Sequence, residues 1–171
     1  MMTTRLSTRR TLRRALAASA LIVAFSLTPA AQSTPPTLPT FALTRTNGTS
    51  TSSAALVQSG PWMLVVSQQP CATCDALLAG VNATVPVDRA SRIALVLGGA
   101  SLAEASIVVP RYPRLADSRW FLDVDRAALP ALGLSGAPVL VGLRGDRVYW
   151  KRVGTSMSTS DLQALITSWI R

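Results

Sequence analysis

The sequence lacks histidine altogether and has only two cysteines, Cys71 and Cys74. Without an imidazole, no histidine base can activate a serine or cysteine nucleophile, and a c-type haem cannot be attached through Cys-x-x-Cys-His. Most copper-chaperone chemistry is excluded for the same reason. One cysteine pair also supplies only half of the ligands that a zinc site requires. We therefore expect neither a metal nor another cofactor.

Charged residues are few, at 15% of the 171 residues, whereas apolar residues make up 49%. This balance predicts one folded domain with a substantial core rather than a disordered chain. The formal net charge is +9, but five arginines stand in residues 1–30, where there is no acidic residue. The later arginines are scattered, so nucleic acid is not expected as a partner.

Residues 1–30 have the layout of an export signal. A basic stretch ends at Arg14, an apolar segment follows over 15–27, and Ala30 offers a small residue for cleavage. The apolar segment is shorter than the roughly 18 residues that a membrane span needs, so a cleaved signal is favoured over the alternative, an uncleaved signal anchor. A loose twin-arginine pattern at Arg9 and Arg10 leaves the export route open. We predict an exported, periplasmic bacterial protein, anchored to the membrane only if the signal stays uncleaved.

Pro, Thr and Ser residues dominate 31–39, which predicts a short extended linker before a domain at 40–171. Within that domain, apolar strand-like runs alternate with helical segments, and Asn47-Gly48 is a strong hairpin signal. This order predicts an α/β fold in which helices flank a central mixed β-sheet. The expected strands lie at 41–44, 49–51, 62–66, 93–97, 120–122, 139–143 and 147–153, and the expected helices at 75–81, 101–105, 126–132 and 159–170.

The two cysteines form one Cys-Ala-Thr-Cys motif soon after the apolar run 62–66. Two thiols spaced in this way, where a strand gives way to a helix, can open and close a disulfide without a backbone movement. The positive end of the helix dipole would lower the pKa of the Cys71 thiol, and the thiolate is the nucleophile in disulfide exchange. The motif therefore predicts a redox-active Cys71–Cys74 pair, with an inert structural disulfide as the alternative.

From Phe41 to Gly154 the chain resembles the thioredoxin superfamily, especially its exported branch of periplasmic thioredoxin-like proteins of the redoxin (TlpA) type. The likeness rests on the order of four features, which are the Asn47-Gly48 hairpin, the Cys-Ala-Thr-Cys motif, Ala137-Pro138-Val139 and a closing hairpin at Gly145-Asp146. It implies a thioredoxin-like fold with an extra N-terminal β-hairpin. It also implies the activity of a thiol–disulfide oxidoreductase.

The resemblance implies roles for individual residues. Cys71 would be the exposed attacking thiol, and Cys74 the buried resolving thiol. Pro138 would follow a cis peptide bond and lie against the disulfide, while the backbone of Ala137 would pair with an extended segment of the substrate. The partners would be protein thiols and disulfides in the periplasm, and a reductive role would require a membrane electron donor.

Three positions depart from the family pattern. Pro70 stands where thioredoxins usually carry an aromatic residue, and Val65 stands where they carry a buried carboxylate that moves the proton of the resolving thiol. Asp75 is the nearest acid, and we expect it to face solvent from its helix. These departures favour, as the alternative function, a catalytically weak thioredoxin-fold binding or scaffold module with a structural disulfide.

Two further patterns bear on catalysis. Asp123 and Asp125 could suggest paired catalytic carboxylates, but we expect solvated acids at the end of a strand. The segment from Ser67 to Cys71 lacks the Pro-x-x-x-Thr-x-x-Cys setting of peroxide-reducing cysteines. Peroxide reduction is therefore not the expected activity.

Overall fold

The strand-forming runs of the sequence belong to one sheet. The computed structural model describes residues 34–154 and 157–171 and contains a sheet of seven strands in the order β2-β1-β5-β4-β3-β6-β7. The predicted signal peptide at 1–30 lies outside the described residues. The strands are β1 (Ala42–Arg45), β2 (Ser50–Ser52), β3 (Gln58–Gln68), β4 (Ile93–Gly98), β5 (Arg119–Asp123), β6 (Val139–Gly145) and β7 (Arg147–Val153), and the α-helices are α1 (Ala72–Thr84), α2 (Leu102–Val108), α3 (Ala128–Ala131) and α4 (Thr159–Trp169).

Strand directions make this a mixed sheet. The central strands β3, β4 and β5 run parallel to one another, and antiparallel pairing adds β6 and β7 on one side and β1 and β2 on the other. The pairing of β1 with β5 joins the N-terminal hairpin to the sheet. The predicted α/β class, with its mixed sheet and N-terminal hairpin, is confirmed.

The turn of this hairpin follows from its sequence. Gly48 has a φ of +86°, a left-handed conformation that a glycine adopts without steric strain. The side chain of Asn47 accepts hydrogen bonds from the backbone N–H of Thr49 at 3.1 Å and from its hydroxyl at 2.7 Å. The Asn-Gly pair therefore reverses the chain and sets the register of β1 against β2.

Apolar residues of the central strands alternate between two cores, one on each face of the sheet. Met63 and Val65 of β3 pack with apolar side chains of α1, α2 and α4 on one face. Trp62, Leu64 and Val66 pack on the other face with α3 and the segment before β1. Both faces of β3 are buried, which explains why its sequence is a continuous apolar run rather than an alternating one.

The segment before β1 also packs against the closing hairpin. The N–H of Leu38 donates to the carbonyl of Asp146 at 2.7 Å, and the N–H of Val148 donates to the carbonyl of Pro36 at 2.8 Å. The side chain of Leu38 is buried. This part of the predicted linker at 31–39 therefore contributes to the core on the α3 side.

Three helices differ by more than one residue from their sequence-based expectations. The helix expected at 126–132 is α3, which covers only Ala128–Ala131, because Arg126 adopts a left-handed φ of 56° and cannot belong to an α-helix. The helix expected to end at Val81 continues to Thr84, and the helix expected at 101–105 covers Leu102–Val108. Within residues 34–154 and 157–171, no helix is both long enough and apolar enough to cross a bilayer.

Candidate active site

The Cys-Ala-Thr-Cys motif lies between the end of the central strand β3 and the first turn of α1. Strand β3 ends at Gln68, the peptide bond between Gln69 and Pro70 is cis, and Cys71 is the N-cap residue of α1. Cys74 therefore lies in the first turn of this helix. The motif stands at the carboxyl end of the parallel strands and at the positive end of a helix dipole, where negative charge is stabilised.

The two cysteine sulfurs are joined in a disulfide, with a Cα–Cα distance of 5.2 Å. Their exposure differs, since Cys71 is half-buried and Cys74 is fully buried, at 0% exposed. An incoming sulfur atom can reach Cys71 from solvent, whereas Cys74 is accessible only from Cys71 itself. This is the division between an outer and an inner sulfur that disulfide exchange through a mixed disulfide requires.

Two hydrogen-bonding groups surround the sulfur of Cys71. The N–H of Cys74 donates to Cys71 Sγ at 3.2 Å, and the hydroxyl of Thr73 lies 3.2 Å from the same atom. When the disulfide is open, both groups can donate to a thiolate at Cys71. Such donors stabilise the charged form of a thiol, as the helix N-terminus does. Thr73 was not singled out from the sequence.

No carboxylate of the described residues is hydrogen-bonded to the Cys74 sulfur. The N–H of Gln68 lies 3.5 Å from Cys74 Sγ. Val65 is fully buried among the residues that pack against α1, so the position that carries the family's acid is apolar here. The buried sulfur is therefore held by a backbone donor rather than by an ionisable side chain.

Asp75 differs from its expected solvent-facing position. It is half-buried, and its Oδ1 accepts a hydrogen bond at 3.2 Å from the side chain of Gln69, in the loop before Cys71. Burial, and secondly the charge of Asp75, raise the pKa of the buried Tyr112 phenol. Asp75, Gln69 and Tyr112 thus form a polar cluster at the edge of residues 69–71, the active-site loop. The sequence did not predict this cluster, because Tyr112 lies far from Asp75 in the chain.

Ala137 and Pro138 lie at the same end of the sheet as the cysteines. The peptide bond between them is cis, as the resemblance implies, and Pro138 directly precedes β6. Pairing of Val139 with Val66 places Pro138 at the carboxyl end of β3, where the active-site loop begins. Pro138 is buried and Ala137 is half-buried.

A small cleft borders the active-site loop on the side of α2. It has a volume of about 120 Å³, and Gln69, Pro70, Glu104, Ile107 and Val108 line it. Ile107 is 69% exposed, which makes it the most exposed of the large apolar residues in the described part of the chain. The cleft offers an apolar surface at Pro70, the residue before Cys71.

The expectation for Asp123 is wrong, whereas Asp125 is exposed as expected. Asp123 is only 2% exposed, and its two carboxylate oxygens accept hydrogen bonds at 2.8 Å from the N–H groups of Ala127 and Ala128. The carboxylate caps the start of α3, so it has a structural role. In the described residues, no three His, Cys, Asp or Glu side chains are grouped as a metal site would require.

Comparison with known proteins relies on structure alone, because no protein-family model and no curated protein matches the sequence. DsbF from Mycobacterium tuberculosis, solved in mixed oxidised and reduced forms, is 19% identical, with a TM-score of 0.61 over 79% of this chain and 98% of that one. A secreted disulfide oxidoreductase from the same organism, homologous to Escherichia coli DsbE, is also 19% identical, with a TM-score of 0.59 over 75% and 95% of the two chains. Copper-bound ScoI from Arabidopsis thaliana is 10% identical, with a TM-score of 0.59 over 77% and 96%.

These similarities are at the level of the fold, and one fold can support different functions. They extend over three quarters or more of the chain. The chain thus has the thioredoxin-like fold that the order of its motifs predicted.

Proposed function

We propose that the protein is an exported thiol–disulfide oxidoreductase that exchanges disulfides with protein thiols through Cys71 and Cys74. The observation that carries the proposal is the asymmetry of the pair, in which a partly buried Cys71 at a helix N-terminus is bonded to a fully buried Cys74. Two of the solved structures that share the fold are disulfide oxidoreductases or Dsb proteins by name.

The reaction in the reducing direction begins with the Cys71 thiolate. It attacks one sulfur of a substrate disulfide, a mixed disulfide forms, and the other substrate sulfur leaves as a thiolate that takes up a proton. The Cys74 thiol then loses its proton and attacks Cys71 Sγ, which releases the second substrate thiol. Two electrons pass from the cysteine pair to the substrate, and the Cys71–Cys74 disulfide is formed. The oxidising direction is the reverse of these steps.

The surface around Cys71 fits a protein segment as the substrate. Ala137 provides half-buried backbone next to cis Pro138 at the same end of the sheet, suited to pairing with an extended chain. The apolar cleft beside Pro70 and Ile107 can accept a side chain that flanks the substrate cysteine. Exported proteins with exposed cysteines are the proposed substrates, and a membrane electron donor would sustain a reductive cycle.

The direct test is to trap the mixed disulfide. In a Cys74→Ser variant of the full chain, the resolving thiol is missing, so a substrate captured by Cys71 stays attached and appears as an adduct that dithiothreitol removes. The matched Cys71→Ser variant should capture nothing, because Cys74 is buried. Equal adducts in both variants, or none in either variant together with no disulfide reduction by the wild type, would contradict the proposal.

Export is supported by the N-terminal sequence. Five arginines precede an apolar segment in residues 1–30, followed by small residues. Expression of the full chain in a bacterium, followed by fractionation and mass analysis, should give a periplasmic form that begins at Ala31 or Gln32. An Ile22→Arg variant, which interrupts the apolar segment, should remain unprocessed. Cytoplasmic wild-type protein of full length would refute export.

A binding or scaffold module with a structural disulfide is the second candidate function. Val65 and Pro70, which replace groups that assist the chemistry in the family, favour it. However, a bridge between residues only three apart contributes at most about 2 kcal/mol through loop closure, which makes it a weak staple. Full function of a Cys71→Ser variant in the host organism would favour the scaffold function.

A further inference from the structure

Ser67, the penultimate residue of β3, carries a buried hydroxyl without a hydrogen-bond partner. Ser67 is 1% exposed, and its Oγ is one of three buried side-chain polar atoms without a partner in the described residues, with Gln58 Nε2 and Arg119 Nε. A buried hydroxyl that forms no hydrogen bond costs free energy, since it has lost its water. An unpartnered buried hydroxyl is uncommon in folded proteins, and a hydrogen bond formed in another state of the molecule would explain it.

The alternation of side chains along β3 places Ser67 on the side of α1. Met63 and Val65, which lie on the same face of the strand, pack with Leu77 and Leu78 of that helix. The residue after Ser67 is Gln68, whose N–H lies 3.5 Å from the sulfur of Cys74. The free hydroxyl is therefore on the face of the strand that α1 covers, one residue from the group that contacts the buried sulfur.

Few other side chains can form a hydrogen bond with the Cys74 sulfur once the disulfide opens. Val65 is apolar, and the Asp75 carboxylate accepts from Gln69 at the edge of the loop. The phenol of Tyr112, whose pKa is raised by burial and by the charge of Asp75, is stacked on Trp120 in the core. A disulfide sulfur is a weak acceptor, whereas a thiol can both donate to and accept from a hydroxyl and a thiolate is a strong acceptor. The need for a hydrogen-bond partner at Cys74 beyond the N–H of Gln68 therefore arises in the reduced state.

We propose that Ser67 is a positioning residue for Cys74, whose hydroxyl donates a hydrogen bond to the Cys74 sulfur when the disulfide is open. The inference rests on the proposed thiol–disulfide exchange, and it supplies the buried sulfur with a neutral donor where the sequence has no acid. The hydroxyl is unsatisfied in the oxidised protein and satisfied in the reduced one. Ser67 therefore favours the reduced state and stabilises the Cys74 thiolate that attacks Cys71.

The test is the redox equilibrium of the full chain with dithiothreitol, in which the dithiol becomes a cyclic disulfide and the protein disulfide becomes two thiols. Ser67→Ala should shift the equilibrium constant about tenfold toward the protein disulfide, which is about 30 mV in reduction potential. Resolution of a glutathione adduct at Cys71 by Cys74 should slow by a similar factor. The alkylation rate of Cys71 should not change, because its donors are Thr73 and the N–H of Cys74.

Ser118→Ala is the matched control. The Ser118 hydroxyl is also buried, but it donates to the carbonyl of Ala90 at 2.8 Å, so its loss should destabilise both redox states and leave the equilibrium unchanged. The oxidised Ser67→Ala protein should be at least as stable as the wild type, because it loses a hydroxyl that has no partner. If it is less stable when oxidised, the hydroxyl is bonded in that state and the inference is wrong.

An unchanged equilibrium in Ser67→Ala would also overturn the inference. Dithiothreitol is not a protein substrate, so this outcome is separate from the fate of the proposed function. A shifted equilibrium in a protein that reduces no protein disulfide would uphold the contact between Ser67 and Cys74 and refute the oxidoreductase. An unshifted equilibrium in an active enzyme would do the reverse.

Discussion

At the residue scale, the two sulfurs of one disulfide have opposite environments. Cys71 is half-buried and receives donors from Thr73 and from the backbone of Cys74, whereas Cys74 is fully buried next to the N–H of Gln68. The donors at Cys71 stabilise a thiolate, and burial protects Cys74 from direct attack. The two proposed roles, nucleophile for Cys71 and resolving thiol for Cys74, therefore rest on burial and neutral donors, since no ionisable side chain of the described residues is hydrogen-bonded to either sulfur.

The first prediction concerns the hydroxyl of Thr73. Thr73→Val keeps the shape of the side chain and removes its donor to Cys71 Sγ, so the thiolate is less favoured. We expect iodoacetamide to alkylate Cys71 of the reduced variant roughly two- to tenfold more slowly near neutral pH, the range for one lost hydrogen bond. Thr167→Val is the control, because that hydroxyl donates only within α4. Equal rates in wild type and Thr73→Val would show that the hydroxyl does not act on the sulfur.

At the element scale, helix α2 forms one wall of the cleft beside the active-site loop. Ser101 and Glu104 form a capping box at its start, with Glu104 accepting from the backbone of Ser101 at 2.7 Å. The cap fixes the start of the helix that presents Ile107 next to Pro70. The element thus links a local sequence signal to the proposed substrate surface.

The second prediction concerns Ile107, which is exposed beside the cleft. Ile107→Asp should lower the rate with protein disulfides several-fold, because it places a charge where an apolar side chain of the substrate would dock. The rate with a small disulfide such as oxidised glutathione should be nearly unchanged. Val87→Asp, at a similarly exposed position before β4 and therefore at the opposite end of the sheet, should leave both rates unchanged. A uniform loss with small and large substrates would argue against a docking surface.

The third prediction is a pH dependence of stability from the same helix. Hydrogen bonds from the backbone and side chain of Ser101 lower the pKa of Glu104 below its ordinary value. A lowered pKa means that the carboxylate stabilises the fold above its ordinary pKa and loses this effect as the pH falls through the lowered one. Glu104→Ala should therefore unfold at lower urea concentration than the wild type at neutral pH, and the two midpoints should converge in acid. A constant difference at every pH would contradict the cap.

At the scale of the whole molecule, the fold is stabilised by apolar packing on both faces of the sheet, and the disulfide adds little to the free energy of unfolding. Two apolar cores cover the faces of β3, and the cysteine pair closes a loop between residues only three apart. A structural disulfide is essential in a protein that has little apolar core. A redox-active disulfide, in contrast, must open without unfolding the domain. Two cores that do not depend on the disulfide meet the second condition.

The fourth prediction follows from this difference. Reduction of the full chain should leave its far-ultraviolet circular dichroism unchanged and should lower the free energy of unfolding by about 2 kcal/mol or less, as expected for a short loop. Denaturant titrations of the oxidised and reduced forms measure both quantities. A Cys71→Ser/Cys74→Ser double variant should behave like the reduced protein. Loss of the fold on reduction would identify the pair as a structural staple.

Local signals in the sequence were enough to predict most of the architecture. The apolar run 62–66 and the Asn47-Gly48 turn act through neighbouring residues, so β3 and the β1–β2 hairpin could be read directly. Burial of Asp123 could not, because it depends on how the chain folds back to present two N–H groups to the carboxylate. The unpartnered hydroxyl of Ser67 likewise exists only once α1 covers β3.

Disulfide exchange and a structural disulfide are distinguished by alkylation of the two thiols of the reduced full chain over a pH series, with each site located by peptide mass. We expect Cys71 to react quickly, with a pKa well below the value of about 8.5 for a free thiol, while Cys74 is protected. Slow and equal reaction of Cys71 and Cys74, with no lowered pKa, would contradict it. Cys71 and Cys74 would then form a structural disulfide, and the protein would be a binding or scaffold module rather than an oxidoreductase.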